Sequence, residues 1–270
     1  MSLLTLRDLR VASAAKELVH GVSFTLEPGE QLGLVGESGS GKSLTAMSVV
    51  GLLATGLRAS GSVLLGGQEV VGQPDRRLVP LRGAVASVVF QDPRSALDPL
   101  MRLGRQLAEP IRRRAAREGR ALTASALKAE QLQWLDRVAI AEPERILAAF
   151  PHEVSGGQRQ RIAIAMALAC GPRLLIADEP TTALDVTTQA EVLDLLDGLV
   201  KAEGLALLFI SHDLPVVARI TDRVIVMRQG DVVEEGPARR VFTRPAHEYT
   251  KALVGAARRL EAALAGDELP

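Results

Sequence analysis

The chain has 270 residues, of which 47% are hydrophobic, and its 32 basic residues are balanced by 32 acidic ones. This length allows one large hydrophobic core, with or without an inserted subdomain, and an α/β protein is the natural class. The neutral net charge gives no overall field that would recruit nucleic acid or an anionic membrane. The single cysteine, Cys170, lies in an apolar run and is predicted to be buried and unreactive, which fits a reducing cytoplasm.

The N-terminal residues do not have the pattern of a targeting sequence. Charged residues interrupt the leucines there, so we expect neither a secretory signal nor a cleavage site. No apolar run approaches the roughly 20 residues needed to cross a bilayer. Any role at a membrane is therefore expected to depend on partner proteins.

Strands and helices alternate along most of the chain. Residues 2–26 alternate in short apolar pieces that predict an antiparallel sheet, and residues 61–67 predict a small strand and hairpin. The other predicted strands are 31–35, 85–90, 174–177 and 206–210, and the other predicted helices are 44–53, 155–169 and 188–200. This alternation indicates a largely parallel sheet whose carboxyl ends form one site.

Residues 92 to about 154 have a different character, with periodic apolar positions set among many charges. The pattern predicts an inserted group of helices, with Trp134 in its core. The basic run 112–114, together with Arg117, has no interleaved aromatic residues. It is therefore interpreted as a solvated helix face, with a nucleic-acid patch as the alternative.

An unbroken G-x-x-x-x-G-K-S motif lies between a predicted strand and a predicted helix. Its members are Gly36, Glu37, Ser38, Gly39, Ser40, Gly41, Lys42 and Ser43. Glycines let backbone N–H groups turn inward on one anion, and the helix N-terminus adds partial positive charge. Lys42 is predicted to reach the β- and γ-phosphates, and the Ser43 hydroxyl to bind Mg²⁺. The motif predicts a nucleotide site, the alternative being a glycine-rich turn without chemical meaning.

Other polar residues follow the predicted buried strands. They are Gln91, Asp178, Glu179 and His212. Phosphoryl transfer to water requires Mg²⁺, a group that orients the water, and donors for the charge on the transferring phosphoryl group. Asp178 is the expected Mg²⁺ carboxylate, either as a direct ligand or behind the ligands, and Glu179 is the candidate base or water-positioning group. His212 is a candidate donor to the γ-phosphate. The alternatives are a solvated acidic turn and a structural histidine.

Several motifs occur together in an order typical of one family. They are residues 36–43, Gln91 after 88–90, residues 154–161 (Val-Ser-Gly-Gly-Gln-Arg-Gln-Arg), residues 174–180, Ala183-Leu184-Asp185 and Ser211-His212-Asp213. Over about residues 3–255 the chain resembles the nucleotide-binding subunits of ABC transporters, and the Ser-Gly-Gly-Gln element is the most specific part. The resemblance implies an α/β P-loop NTPase cassette, with a RecA-like core, an N-terminal antiparallel β subdomain and an inserted helical subdomain.

The resemblance also implies a domain division. We predict one ABC ATPase domain at residues 1–255, with its core at 1–91 and 156–240 and its helical insertion at about 92–155. A C-terminal helical tail is predicted at residues 256–270.

A head-to-tail dimer is a further implication of the resemblance. Four residues of one subunit would contact the ATP held by the phosphate loop of the partner, and Asp185 would lie at the same interface. These four residues are Ser155, Gly156, Gly157 and Gln158. They begin a helix and include glycines that allow close approach, so this element is a second anion site. Gln91 would reach the metal or the water. The implied cofactors are ATP and Mg²⁺.

A narrower resemblance points to the importers of peptides and nickel. It rests on residues 90–99, 150–153 and 244–250. Two features depart from the pattern: Ser13 stands where many ABC ATPases place an adenine-stacking aromatic residue, and the C-terminal cysteine cluster of some peptide-importer ATPases is absent. These departures, together with residues 14–23, look closer to the nickel importers. His20, His152 and His247 show no metal-ligand spacing and are not interpreted as nickel ligands.

The resemblance thus predicts an ATP-hydrolysing importer subunit for nickel or for di- or oligopeptides, peripheral on the cytoplasmic face of the membrane. The implied partners are a second ATPase, which makes a heterodimer the favoured assembly, two membrane permease subunits, and an extracytoplasmic binding protein. The main alternative is a soluble ABC-type ATPase acting on nucleic acid or the ribosome. A phosphate-loop kinase is a further alternative, in which the second anion site would be accidental.

Overall fold

The computed structural model describes residues 2–182 and 184–265, so Ala183 and the predicted tail residues 266–270 lie outside the described residues. The backbone divides into two units. The first consists of the residues up to Leu78 together with those from Ala206 onward, and the second is Val79–Leu205.

In chain order the strands are β1 (Leu4–Ala12), β2 (Glu17–Leu26), β3 (Gln31–Val35), β4 (Arg58–Leu65), β5 (Gln68–Glu69), β6 (Ala86–Val89), β7 (Leu174–Asp178), β8 (Ala206–Ser211), β9 (Arg223–Arg228) and β10 (Asp231–Pro237). The helices are α1 (Lys42–Val49), α2 (Asp75–Leu78), α3 (Leu103–Arg117), α4 (Ala124–Arg137), α5 (Pro143–Ala148), α6 (Gly156–Ala169), α7 (Val186–Glu203), α8 (Leu214–Ile220), α9 (Ala238–Thr243) and α10 (Glu248–Ala265).

The antiparallel sheet predicted near the N-terminus is present in the first unit, in the order β2-β1-β4-β5. Leu6 and Leu9 of β1 are both buried although they are three residues apart. A regular strand would place them on opposite faces. The pairing register of β1 shifts between these residues, and Asp8 has a positive φ of 48°. This bulge returns the second leucine to the core face.

A parallel group of strands forms the other part of the first unit. β3 pairs with β8 and with β9, and β9 pairs antiparallel with β10. Every residue of β3 and β8 is buried, as expected for parallel strands that are covered on both faces. Val35 and Ser211, the last residues of β3 and β8, are register partners. The two strands therefore end at the same edge.

Helices dominate the second unit, where β6 and β7 pair in parallel. The core includes Leu107, Ile111, Leu135 and Ile162, from α3, α4 and α6. Trp134 is also buried, with the Arg137 guanidinium carbon 4.2 Å from the centre of its ring. The predicted core position of this tryptophan is confirmed.

The basic run of α3 is engaged within its own unit. Arg113 pairs with Glu109 at 2.7 Å, and Arg114 pairs with Glu118 at 2.8 Å. Arg117 donates a hydrogen bond to the carbonyl oxygen of Cys170 at 2.6 Å. These contacts support the interpretation of the run as a helix face with intramolecular partners.

Two local predictions differ from the structure. α1 was expected at residues 44–53, but it begins at Lys42 and ends at Val49, because β-branched Val50 is followed by Gly51 with a φ of 64°. Cys170 is partly exposed, not fully buried. Its partial burial raises the pKa of the thiol, which favours the unreactive protonated form. Within residues 2–182 and 184–265, no helix combines the length and the apolar composition needed to cross a bilayer.

Candidate active site

The glycine-rich loop leaves β3 after Val35 and enters α1 at Lys42. Gly36 and Gly41 have φ angles of 151° and 101°, values that side chains rarely adopt. A Cβ atom on Gly36 would lie 2.2 Å from the carbonyl oxygen of Met227 on β9. Only glycine therefore permits the loop to turn this close to the neighbouring strand.

Lys42 lies inside this loop, with only 4% of its surface exposed. Its amine donates hydrogen bonds to the carbonyl oxygens of Gly36 and Glu37, both at 2.9 Å, and to the hydroxyl of Ser40 at 3.4 Å. Charge-assisted bonds of this kind compensate the cost of burying an ammonium group. The loop thus holds a positive charge at the start of a helix, which is the arrangement that a phosphate requires.

The N-cap of α1 is Gly41, which has no side chain that could cap the helix. Two other helices, α7 and α8, do have side-chain caps, because Asp185 and Asp213 accept hydrogen bonds from the N–H groups of Thr188 and Val216. A helix without a side-chain cap presents its first N–H groups to an external anion. Ser43, the second residue of α1, adds a hydroxyl at the same end.

His212 lies at the same edge of the first unit as the phosphate loop. It directly follows Ser211, which is aligned with Val35 at the end of β3. The Ser211 hydroxyl accepts a hydrogen bond from the N–H of Asp213 at 3.0 Å, which fixes the turn around the histidine. The predicted placement of a histidine at the carboxyl end of β8 is therefore observed.

The second unit brings Gln91 and Glu179 together. Val89 and Ala177 are aligned near the ends of β6 and β7. The Gln91 side-chain N–H donates to Glu179 Oε2 at 3.3 Å, and the Thr182 hydroxyl donates to the same oxygen at 3.0 Å. Glu179 also has a positive φ of 46°. Such a conformation costs about 1–3 kcal/mol and is found most often where function needs a particular side-chain direction.

Asp178, the last residue of β7, is 8% exposed, while Glu179 beside it is partly exposed. Carboxylate and amide oxygens are ligands suited to Mg²⁺, and within the second unit Asp178 and Gln91 supply one of each. Among the residues that the structure describes, no three or more acidic, histidine or cysteine side chains gather into a metal site.

The start of α6 is built as a capping box. The Ser155 hydroxyl accepts a hydrogen bond from the N–H of Gln158 at 3.2 Å, and the Gln158 side-chain oxygen accepts one from the N–H of Ser155 at 3.0 Å. A Cβ atom on Gly157 would lie 2.6 Å from the Thr188 methyl group, so glycine is needed here for close packing against α7. The exposed Ser155 thus stands at the beginning of a well-fixed helix.

Asp185 caps the adjacent helix α7. It accepts a hydrogen bond from the N–H of Thr188 at 3.0 Å. This bond lowers the pKa of the exposed carboxyl group, which is ionised at neutral pH. Thr188 is also the residue whose methyl group packs against Gly157, so the starts of α6 and α7 are neighbours.

Two further observations concern residues outside the predicted loop and catalytic set. Ser13 lies in the turn between β1 and β2, where its hydroxyl donates to the carbonyl oxygen of Lys16 at 3.1 Å. Tyr249 was not predicted as a site residue, yet its hydroxyl accepts a hydrogen bond from the N–H of Glu37 in the phosphate loop at 3.0 Å. Its only sequence signal is its place in the stretch 244–250, which gives no indication of a contact with the loop.

Comparison with known proteins identifies the class to which this site belongs. The family model described as "ABC transporter" matches residues 19–182. The chain belongs to the ABC transporter family. The predicted α/β P-loop cassette and the predicted ATPase activity are both confirmed, and ATP is the nucleotide of this family.

Two relatives show which branch of the family the chain resembles. The chain is 46% identical over 263 residues to the oligopeptide transport ATP-binding protein OppD of Salmonella typhimurium, covering 96% of this chain and 77% of that protein. It is 47% identical over 260 residues to the peptidoglycan transport ATP-binding protein YejF of Agrobacterium fabrum, covering 94% of this chain. It spans 47% of the length of YejF.

Solved structures support the fold. A dimeric post-hydrolysis structure of the ATP-binding cassette MJ0796, bound to ADP and phosphate, matches with a TM-score of 0.76 and 26% identity, covering 87% of this chain and 99% of that one. The structure of CbiO1 from Clostridium perfringens matches with a TM-score of 0.75 over 98% of this chain and 99% of that one. At 24% identity the second match shows the fold alone.

Proposed function

We propose that this chain is the ATP-hydrolysing subunit of an importer that takes up di- or oligopeptides. The observation that carries the proposal is the glycine loop around buried Lys42, in a chain whose relatives include oligopeptide and peptide transport ATP-binding proteins. ATP binding and hydrolysis would close and open a pair of ATPase subunits, and this motion would act on membrane partners.

One group of the predicted site residues binds the phosphates of ATP and Mg²⁺. Backbone N–H groups of residues 36–43 and the Lys42 amine bind the phosphates. Ser43, Asp178 and Gln91 hold Mg²⁺, which neutralises charge on the phosphate oxygens. The position of Asp178 at the end of β7, directly before Glu179, supports this assignment.

Hydrolysis depends on Glu179 and His212. Glu179 orients the attacking water and accepts its proton, while Gln91 and Thr182 hold one of its carboxylate oxygens in place. His212 donates a hydrogen bond to the γ-phosphate, a role supported by its position at the same edge as the phosphate loop.

The second anion site acts on a nucleotide held by another chain. Ser155, Gly156, Gly157 and Gln158 contact the γ-phosphate of ATP bound to the phosphate loop of a partner, and Asp185 lies at that interface. The exposure of Ser155 and the neighbouring starts of α6 and α7 support this. A second ATPase, distinct from this chain, is the proposed partner.

The names of the relatives favour peptides over nickel as cargo. The nickel prediction rests on residues 14–23 together with Ser13 and the absent cysteine cluster, and the names of those relatives give it no support. The remaining proposed partners are two permease subunits and an extracytoplasmic binding protein, with this chain peripheral on the cytoplasmic face of the membrane.

Co-purification tests the proposal. A tagged Glu179→Gln variant is extracted from source-cell membranes in the presence of ATP, and every co-purifying chain is identified by mass spectrometry. A tagged Lys42→Ala variant, which is not expected to retain ATP, serves as the control. We expect the Glu179→Gln preparation to contain two permease subunits and a second ATPase, with more of the second ATPase than in the control.

A binding protein recovered with these subunits is then titrated with peptides and with Ni²⁺. Peptide binding supports the proposed cargo, while binding of Ni²⁺ alone would replace it with nickel. Recovery of the tagged chain only from the soluble fraction, alone or with nucleic acid, would contradict the importer. Binding to double-stranded DNA that weakens steeply with salt would favour the nucleic-acid alternative.

A further inference from the structure

The helix α10 reaches the phosphate loop through the side chain of Tyr249. This residue lies in the first turn of α10 and is 7% exposed. Its hydroxyl accepts a hydrogen bond from the backbone N–H of Glu37 at 3.0 Å, although the two residues are 212 positions apart in the sequence. A residue near the end of the chain is thus bonded to the second residue of the loop.

The bonded N–H belongs to the peptide unit that also holds Lys42. The carbonyl oxygen of this unit, on Gly36, accepts a hydrogen bond from the Lys42 amine at 2.9 Å, and its N–H, on Glu37, donates to Tyr249. A peptide unit is planar, so its C=O and N–H directions are fixed relative to each other. Tyr249 and Lys42 therefore hold the two ends of one rigid group.

Rotation of that peptide unit would disturb Lys42. If the N–H of Glu37 turned away from Tyr249, the carbonyl of Gly36 would turn with it and change its bond to the lysine amine. Gly36, with its φ of 151°, offers little resistance to such a rotation, because glycine has no Cβ. The hydroxyl of Tyr249 supplies a restraint that the glycine itself lacks.

Contacts of its own fix Tyr249 in place. The Glu234 carboxylate on β10 accepts hydrogen bonds from the N–H groups of Ala246 at 2.9 Å and His247 at 3.0 Å, which anchors the chain entering α10. The N–H of Tyr249 donates to His247 Nδ1 at 3.1 Å. The Arg228 guanidinium carbon lies 5.0 Å from the centre of the Tyr249 ring, a favourable cation–π distance.

The ring and the hydroxyl of Tyr249 have separable roles. Anchoring of α10 uses the ring, through its burial and its contact with Arg228. The hydroxyl is needed for the contact with the loop. Burial also raises the pKa of this phenol, so the hydroxyl is neutral at physiological pH. A substitution that keeps the ring and removes the oxygen therefore tests the loop contact alone.

We propose that Tyr249 is a positioning residue for ATP binding, which holds the Gly36–Glu37 peptide so that the loop and Lys42 are set for the phosphates before the nucleotide arrives. The inference rests on the proposed role of residues 36–43 in ATP binding, and not on the proposed cargo or partners. It also gives α10 a direct connection to the nucleotide site.

The test compares Tyr249→Phe with Glu248→Gln in the purified ATPase complex. Glu248 is the preceding residue, and its side chain is 86% exposed and pairs with Lys251 at 2.6 Å. We expect Tyr249→Phe to raise the KM for ATP about three- to tenfold while kcat changes less than about twofold, since one backbone hydrogen bond that preorganises binding is lost. Glu248→Gln should match the parent, and both should keep the parental melting temperature to within a few degrees.

A spectroscopic measurement on the unsubstituted chain supports the kinetics. Tyr249 is the only tyrosine, so ring-labelled ¹³C-tyrosine gives one resonance from this chain. We expect this resonance to shift when ADP or ATP binds, with a shift of the same size in Glu248→Gln. A KM for ATP equal to that of the parent chain in Tyr249→Phe would overturn the inference. So would a tyrosine resonance that does not shift at a saturating nucleotide concentration.

Failure of the proposed function gives a different result. If the complex lacks permease subunits but Tyr249→Phe still raises the KM for ATP, the importer is wrong and the role of Tyr249 stands. If the unsubstituted chain binds no ATP, the inference is overturned together with the site on which it depends.

Discussion

Two of the described helix starts, those of α1 and α6, are the candidate anion sites, and they are built differently. At α1 the N-cap is a glycine, and buried Lys42 supplies a positive charge beneath the loop. At α6 the N-cap is exposed Ser155, which exchanges two hydrogen bonds with Gln158. The first site carries a full charge for a phosphate, whereas the second offers a hydroxyl and neutral backbone groups.

The difference indicates how the two sites divide the work. Charge-assisted hydrogen bonds are about twice as strong as neutral ones, so the site at α1 is suited to bind ATP by itself. The start of α6 is preorganised by its capping box, and we propose that without a full charge it does not capture a nucleotide alone. Its proposed task is to recognise a γ-phosphate that another chain already holds, so that association of two subunits depends on ATP.

The largest expected effect is on the rate of ATP hydrolysis, with no change in ATP binding. Glu179→Gln should lower kcat for ATP hydrolysis by about 10²- to 10⁴-fold, because the water loses its base, while the affinity for ATP stays near the parental value. Rates are measured by phosphate release and affinities by calorimetry. Glu191→Gln is the matched control, since Glu191 forms a partly exposed ion pair with Arg161 in the same unit. Normal steady-state turnover by the Glu179 variant would contradict the assigned role.

A smaller but still large effect is expected at the charged site. Lys42→Ala should weaken ATP binding by about 100-fold, which corresponds to the loss of one strong charged hydrogen bond to phosphate. Lys201→Ala, at an exposed lysine paired with Asp197 on α7, should leave the affinity unchanged. Calorimetric titration with ATP compares the two variants. Parental affinity in Lys42→Ala would mean that the loop at α1 is not the phosphate site.

The smallest expected effect is on stability, and it concerns the turn between β9 and β10 that contacts the phosphate loop. The N–H of Gly230, in the turn between β9 and β10, donates to the carbonyl oxygen of Ser40 in the phosphate loop at 3.0 Å. His20 on β2 holds the same turn through its hydrogen bond to Asp231 at 3.2 Å, which raises the pKa of the histidine. This stabilisation is complete below the unfolded pKa of about 6.5 and is lost as the pH rises through the higher folded pKa.

We therefore expect His20→Gln to melt slightly below the parent chain near pH 5.5 and to match it near pH 8.5. The difference is small because both side chains are substantially exposed. Asp231→Asn should reproduce the pattern, since it removes the other partner. Thermal melts at the two pH values measure the difference in melting temperature between each variant and the parent chain. A difference that grows as the pH rises would show that another group is responsible.

Local sequence patterns predicted much of this architecture. The motif at residues 36–43 and the continuous apolar runs of β3, β7 and β8 indicated the strands and the loop, because phosphate loops and buried strands have strong local signatures. The end of α1 was misplaced because apolar residues continue beyond Val49, and only the backbone at Gly51 shows where the helix stops.

Contacts between distant residues were not predictable in this way. Tyr249 is bonded to the phosphate loop through a hydrogen bond across 212 positions, and no spacing rule links the two. The orientation of Glu179 by Gln91 and Thr182 likewise depends on the pairing of β6 with β7 and on a positive φ. Sequence patterns predicted which residues belong to the candidate site, whereas the folded backbone determines how their side chains are oriented.

The division of work between the two anion sites is tested most directly by changing the charge at Ser155 without changing its cap. Asp and Asn are both good N-caps, so Ser155→Asp and Ser155→Asn should fold alike, but only Asp places a negative charge where the partner's γ-phosphate is proposed to lie. Light scattering measures the mass of each variant in a Glu179→Gln background, alone and mixed with the second ATPase, with and without ATP. We predict that ATP drives association of the Asn variant but not of the Asp variant, although both bind ATP. Equal ATP-driven association of the two variants would contradict a γ-phosphate contact at the start of α6.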